Sequence, residues 1–265
     1  MSEQKTFPFL TALYALLPIV FLLVIDITAM FEGHSFFRAI SHFSLAIFTA
    51  QFLCQMVFLR GEICPGQRGR LVQLNFVFAL FWGIWFCLSL FSNYHYILMD
   101  IMAICGIIAC ITVWGQPPQE KVRHSLLLMG MLALCLGVGI YFWLLTYLPP
   151  ITWLQFSPFS QLVIGVILAY LLLILSKNRL QNFIALLPLI AIFALIANAI
   201  AGLIMLLNYQ QQLTDVMFYY SLYFGLHLLL LLFWAYPIWY SKKLNYIALL
   251  FMLEMGFCLP ILMML

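Results

Sequence analysis

Nine apolar runs, each long enough to cross a lipid bilayer, set what this chain can fold into. A helix rises about 1.5 Å per residue, so about 20 apolar residues traverse the hydrocarbon core. The runs cover roughly residues 8–31, 37–59, 71–92, 96–115, 125–148, 159–176, 183–207, 217–240 and 246–264. Short polar breaks separate them. This pattern predicts an all-α, polytopic transmembrane bundle of about nine spans, forming a single transmembrane domain over residues 1–265.

Composition supports that reading. Hydrophobic residues make up 66% of the chain and charged residues 7%, against about 25% charged in a soluble domain. A single globule this apolar would expose far too much hydrocarbon to water, so the lipid bilayer must be part of its solvent. The net charge of +3 is too small and too scattered to suggest a nucleic-acid partner.

The placement of the basic residues gives the orientation. Lys5, Arg60, Arg68, Arg70, Lys121, Arg123, Lys177, Arg179, Lys242 and Lys243 all fall on the tail or on alternate loops, and only Arg38 falls on the other side. Cytoplasmic loops carry such an excess. The N-terminus is therefore expected inside and the C-terminus outside. Tyr and Trp, such as Trp114, Tyr147, Trp153 and Trp239, gather near the predicted interfaces. The first apolar run is longer than a usual signal-peptide core, carries Asp26, and lacks a small-residue cleavage site. No N-x-S/T sequon occurs. Together these favour the plasma (inner) membrane of a bacterium.

The chain reads as one leading helix followed by four hairpins. S-K-N-R-L-Q-N-F-I-A-L-L from Ser176 resembles S-K-K-L-N-Y-I-A-L-L from Ser241. A repeat of 159–207 by 217–264 is one explanation. Convergence of short loops on Ser, Lys and Asn is the other.

Several chemistries are excluded. The seven cysteines form no C-x-x-C, and six fall in apolar runs. There is no P-loop and no soluble domain to hold a nucleotide, and neither H-E-x-x-H nor G-x-S-x-G occurs. No cofactor is expected.

Ionisable residues within spans are costly and mark candidate sites. They are Asp26, His42, Asp100, His227 and Glu254. Asp26, His42 and Asp100 lie in the outer half of the membrane. His227 and Glu254 lie near the midplane on adjacent antiparallel helices, a geometry that permits a contact between them. A carboxylate beside an imidazole holds a proton near neutral pH. The outer hairpin F-E-G-H-S-F-F adds Glu32 and His34 near Asp26 and His42, a weak metal signal. Gln51, Gln55, Gln73, Asn75 and Asn198 are expected to hydrogen-bond between helices. Pro18, Pro188, Pro237 and Pro260 should kink or locally free the backbone.

The residues lead first to a small-solute or ion permease with proton coupling, Glu254 carrying the proton and His227 partnering it. A second reading is a non-catalytic subunit that assembles or stabilises a larger complex with membrane-protein partners. A remote third is a b-type haem protein with His42 and His227 as axial ligands. A membrane-embedded lipid enzyme would draw on Asp26, His42 and Asp100 for acid–base work.

Overall fold

In hydrocarbon no water is available to bond exposed amides, so an apolar segment must satisfy its own backbone as a helix. The structure is a computed structural model and describes residues 8–32, 41–59, 63–91, 96–177, 180–208, 217–240 and 244–263. The described residues form no strand. The helices are α1 (Pro8–Glu32), α2 (Ser44–Leu59), α3 (Pro65–Leu74), α4 (Phe76–Phe91), α5 (Ile97–Trp114), α6 (Glu120–Thr146), α7 (Pro158–Leu175), α8 (Gln181–Asn208), α9 (Met217–Tyr240) and α10 (Tyr246–Leu262).

Each of the nine apolar runs contains a helix. Seven, counting α3 and α4 as one continuous unit, are long and apolar enough to cross a membrane, whereas α2 and α10 are shorter. The third run begins earlier than its apolar residues suggest. Pro65 opens α3 at a first-turn position where its missing N–H costs nothing. The helix then breaks at Asn75. The Asn75 side chain turns inward and donates to the carbonyl of Cys110 on α5 at 3.1 Å. Pro18, Pro188 and Pro237 and Pro260 lie inside α1, α8, α9 and α10, which continue through them.

The bundle is organised around α2 and α7. Helix α7 packs on α2, α8, α10 and α1, and α2 packs also on α6. Residues 163–173 of α7 are all buried. The α2–α7 contact is close because position 165 lacks a side chain: a Cβ on Gly165 would lie 2.5 Å from the Ala46 carbonyl oxygen. The outer helices turn broad apolar faces outward, Leu13, Leu17 and Val24 on α1 and Phe193 and Ile200 on α8 among them, and these meet lipid.

Among the described residues, three of the basic loop regions meet at one end of the bundle. Arg70 Nε donates to the Ser176 carbonyl, and Gln67 Nε2 donates to the Lys177 carbonyl, each at 2.9 Å. Arg123 and Glu120 of α6 act electrostatically on Arg68 of α3. Loops distant in sequence thus share the face that the positive-inside pattern assigns to the cytoplasm. Lys5, His34, Arg38, Arg60, His95, Arg179, Lys242 and Lys243 lie outside the described residues.

Both central helices start inside the bundle. Helix α2 has 16 residues and α7 has 18, or about 24 and 27 Å. Their neighbours α6 and α8 have 27 and 28 residues, or about 40 Å. Ser157, just before α7, donates to Asn198 Oδ1. Asn198 lies ten residues from the C-terminal end of α8, so α7 begins about 15 Å short of that end. The segment between α6 and α7 is therefore not the surface loop its sequence suggests. It descends into the bundle, and Phe156 and Ser157 are buried.

Candidate functional site

A helix that begins inside a membrane protein brings several N–H groups without intrahelical partners into a dry interior. Around α2 these groups are met one by one. The amide of Phe43 donates to Ser41 Oγ at 3.1 Å. The amides of Leu45 and Ala46 donate to Gln161 Oε1 of α7 at 2.8 and 3.3 Å. The amide of His42 donates to Asp26 Oδ1 of α1 at 2.9 Å. The positive end of the α2 dipole thereby faces a carboxylate, the arrangement that favours negative charge.

Asp26 is 0% exposed. Besides the His42 amide it accepts the Ser41 hydroxyl on Oδ2 and approaches His42 Nδ1 at 3.3 Å through Oδ1. A buried carboxylate needs such donors to remain charged. His42 is 3% exposed, and its ring stacks on Phe156 with centroids 4.5 Å apart. With Nδ1 turned to Asp26, the other ring nitrogen, Nε2, is buried and has no hydrogen-bond partner among the described residues. His42 is not inside the second helix, as its sequence position suggests, but in the turn just before it.

A second polar chain lies at the same level. Asn198 Nδ2 is 2.9 Å from His227 Nε2, and His227 Nδ1 is 2.7 Å from the Tyr223 carbonyl. A carbonyl only accepts, so Nδ1 carries the proton and Nε2 receives the Asn198 amide. Asn198 in turn accepts Ser157 Oγ on its own carbonyl. Tyr141 on α6 donates to the Phe156 carbonyl and receives a hydrogen bond from Gln161 Nε2. Phe156 thus stacks on His42, and Ser157 reaches His227 through Asn198.

The expected contact between Glu254 and His227 is not made. Among the described residues the ion-pair contact is that of Asp26 with His42. His227 belongs to the buried stripe Tyr220, Tyr223, His227, Leu230 and Trp234 of α9. Its neighbour Asn198 is on α8, which packs on α9. Glu254 is half-buried and lies on the side of α10 that carries the exposed Ile247, Phe251 and Cys258. The helices are adjacent, as the tight turn requires, but the two residues face different ways. Both ring nitrogens of His227 are engaged, Nε2 with Asn198 and Nδ1 with the Tyr223 carbonyl. Asp100 sits in the first turn of α5, on another hairpin. Among the described residues no group of three metal-ligating side chains occurs.

Sequence reasoning missed Ser41, Tyr141, Phe156, Ser157 and Gln161. Two carried a readable signal: serine before an apolar run, and serine followed by proline at 157–158, both mark helix starts. Gln51, Gln55, Asn75 and Asn198 do bond between helices, whereas Gln73 is exposed.

A groove of about 660 Å³ opens between α6 and α8, lined by Phe142, Leu145, Trp153, Phe159, Ile204 and Met205. Ser157 also lines it and ties it to the Asn198–His227 pair.

Comparison with known proteins agrees with this architecture. A family described as an integral membrane domain matches residues 4–265. An uncharacterized protein of Haemophilus influenzae is similar, 38% identical over 264 residues with 98% of each chain covered. No solved structure matches.

Proposed function

This chain belongs to the integral membrane domain family, and from that premise we propose that it is a proton-coupled permease for a small solute or ion in the inner membrane of a bacterium. The observation that carries the reading is the buried start of α2, where Asp26 and His42 meet and His42 Nε2 has no partner among the described residues. Non-helical backbone at membrane depth is tolerated where it is enclosed by protein or lines a cavity, and helix starts of this kind form substrate sites in transporters. A carboxylate and an imidazole in contact can gain or lose one proton while each keeps a partner. The proton centre is therefore Asp26–His42 and no longer Glu254–His227. The groove that reaches Ser157 gives a solute an approach to the same level.

The test is uptake of a panel of radiolabelled solutes and ions by proteoliposomes containing wild type or Asp26→Asn. Uptake driven by an imposed proton gradient, and lost in Asp26→Asn, supports the permease. Absence of uptake across the panel by a folded wild type favours the second reading, a subunit that stabilises a larger membrane complex. One feature favours that second reading: the polar side chains of α2, Gln51 and Gln55, are fully engaged as helix clamps.

A further inference from the structure

The inner end of the bundle holds two guanidiniums that are not placed like the other basic side chains. Arg68 lies one turn before Val72, whose carbonyl accepts Trp114 Nε1 of α5 at 3.2 Å. It lies two turns before Asn75, which also bonds to α5. This stripe of α3 faces α5, so Arg68 projects beside the last turn of that helix. Arg123 extends by one turn the buried stripe Leu127, Gly130 and Leu134 of α6, and α6 packs against α5. Gln55 fixes the register there, donating to Thr112 Oγ1 of α5 and to the Leu127 carbonyl of α6.

The two arginines thus approach from different helices around the end of α5, close enough for Arg123 to act on Arg68, with Glu120 as the acidic neighbour. Both are half-sheltered, whereas Lys121 and His124 beside them are exposed. Among the described residues the buried Nε of Arg68 has no hydrogen-bond partner, and Arg123 donates to the Pro118 carbonyl at 3.5 Å. Among those residues the niche holds two cations and one carboxylate. Trp114 is 46% exposed beside them, a residue type that settles at the depth of lipid headgroups.

We propose that this niche, between α3 and α6 at the end of α5, binds the phosphate of an anionic phospholipid from the leaflet facing the basic loops. A guanidinium presents paired N–H groups that match phosphate oxygens, and basic pockets between membrane helices on the cytoplasmic side take such headgroups. The phosphate pairs with the two guanidiniums, and the acyl chains continue along the outward faces of the helices. The site is separate from the buried Asp26–His42 centre at the other end of α2 and does not rest on the permease reading.

The experiment is thermal unfolding of the purified full chain in neutral detergent with added phosphatidylglycerol, phosphatidylcholine or inorganic phosphate. Phosphatidylglycerol raises the midpoint of wild type, and phosphatidylcholine and inorganic phosphate do not. In the Arg68→Gln/Arg123→Gln variant the shift is lost, or needs about tenfold more lipid, while Lys121→Gln keeps it. An unchanged shift in the double variant overturns the site. An equal shift with phosphatidylcholine overturns the charge argument, and an equal shift with inorganic phosphate overturns the lipid as ligand. If the double variant does not fold, Arg68→Lys/Arg123→Lys, which keeps the charge but loses the paired donors, is compared with wild type by native mass spectrometry. Reduced retention of phosphatidylglycerol supports the site and equal retention overturns it.

Discussion

Oδ1 of Asp26 receives two hydrogen-bonding groups of the same residue: the backbone amide of His42 at 2.9 Å and its ring Nδ1 at 3.3 Å. One carboxylate on α1 thereby fixes both the start of α2 and the orientation of a buried imidazole. Truncation and neutralisation of Asp26 should differ. Asp26→Ala leaves the His42 amide and the Ser41 hydroxyl without an acceptor in a dry site, a loss of about 1–3 kcal/mol for each. Asp26→Asn keeps a carbonyl for the amide and should cost clearly less. Thermal unfolding in detergent checks the order wild type, Asn, Ala. Equal midpoints for Ala and wild type would remove the structural role assigned to this carboxylate.

The closeness of α2 and α7 predicts a contrast between two glycines. At Gly165 a new Cβ would meet the backbone oxygen of Ala46 at 2.5 Å and the Thr49 Cβ at 2.6 Å, so the helices must separate. Gly165→Ala should destabilise by about 1–3 kcal/mol. At Gly139 on α6 nothing lies within 4 Å. Gly139→Ala should be neutral or stabilising by up to about 1 kcal/mol. Comparing the two unfolding midpoints isolates packing from helix propensity.

A clamp holds α2, α4 and α5 together. Gln51 accepts Trp82 Nε1 at 2.7 Å and donates to the Gly106 carbonyl at 3.1 Å. Gln51→Leu strands the indole N–H and should cost about 1–2 kcal/mol, within the range of interhelical hydrogen bonds in membranes. Adding Trp82→Phe removes the stranded donor, so the double variant should lose less than the sum of the two single changes. Strict additivity in that cycle would show that the two side chains do not interact.

The fold was legible because its strongest determinant is one-dimensional. Run length places a helix in each of the nine apolar runs without reference to packing, but not the earlier start at Pro65 or the break at Asn75. Depth was not legible. Residues 149–158 read as a surface loop because Pro149, Pro150 and Thr152 are polar or helix-breaking, yet burial of Phe156 and Ser157 depends on partners from α2, α6 and α8. The site residues Asp26 and His42 stood out as ionisable groups in lipid, gathered on one hairpin. Their direct contact was not legible, because it joins a helix interior to the turn before the next helix. The rotation of α9 and α10 was hidden too. In a helix with apolar residues on every side, hydropathy does not say which face carries Glu254.

Orientation can be read from one cysteine. Cys64 is exposed just before α3, at the end where the basic loops gather. A membrane-impermeant maleimide should label it in inside-out vesicles and not in intact spheroplasts. Labelling in spheroplasts would reverse the topology.

The central claim is that Asp26 and His42 form the proton-holding centre, and its most direct test is proton movement itself. Wild type, Asp26→Asn, His42→Gln and Glu254→Gln are reconstituted into liposomes containing a pH-sensitive dye, and solutes are added outside. The account predicts solute-driven acidification or alkalinisation with wild type and Glu254→Gln, and none with Asp26→Asn or His42→Gln. Proton movement that survives in Asp26→Asn and disappears in Glu254→Gln would contradict it and place the centre on α10.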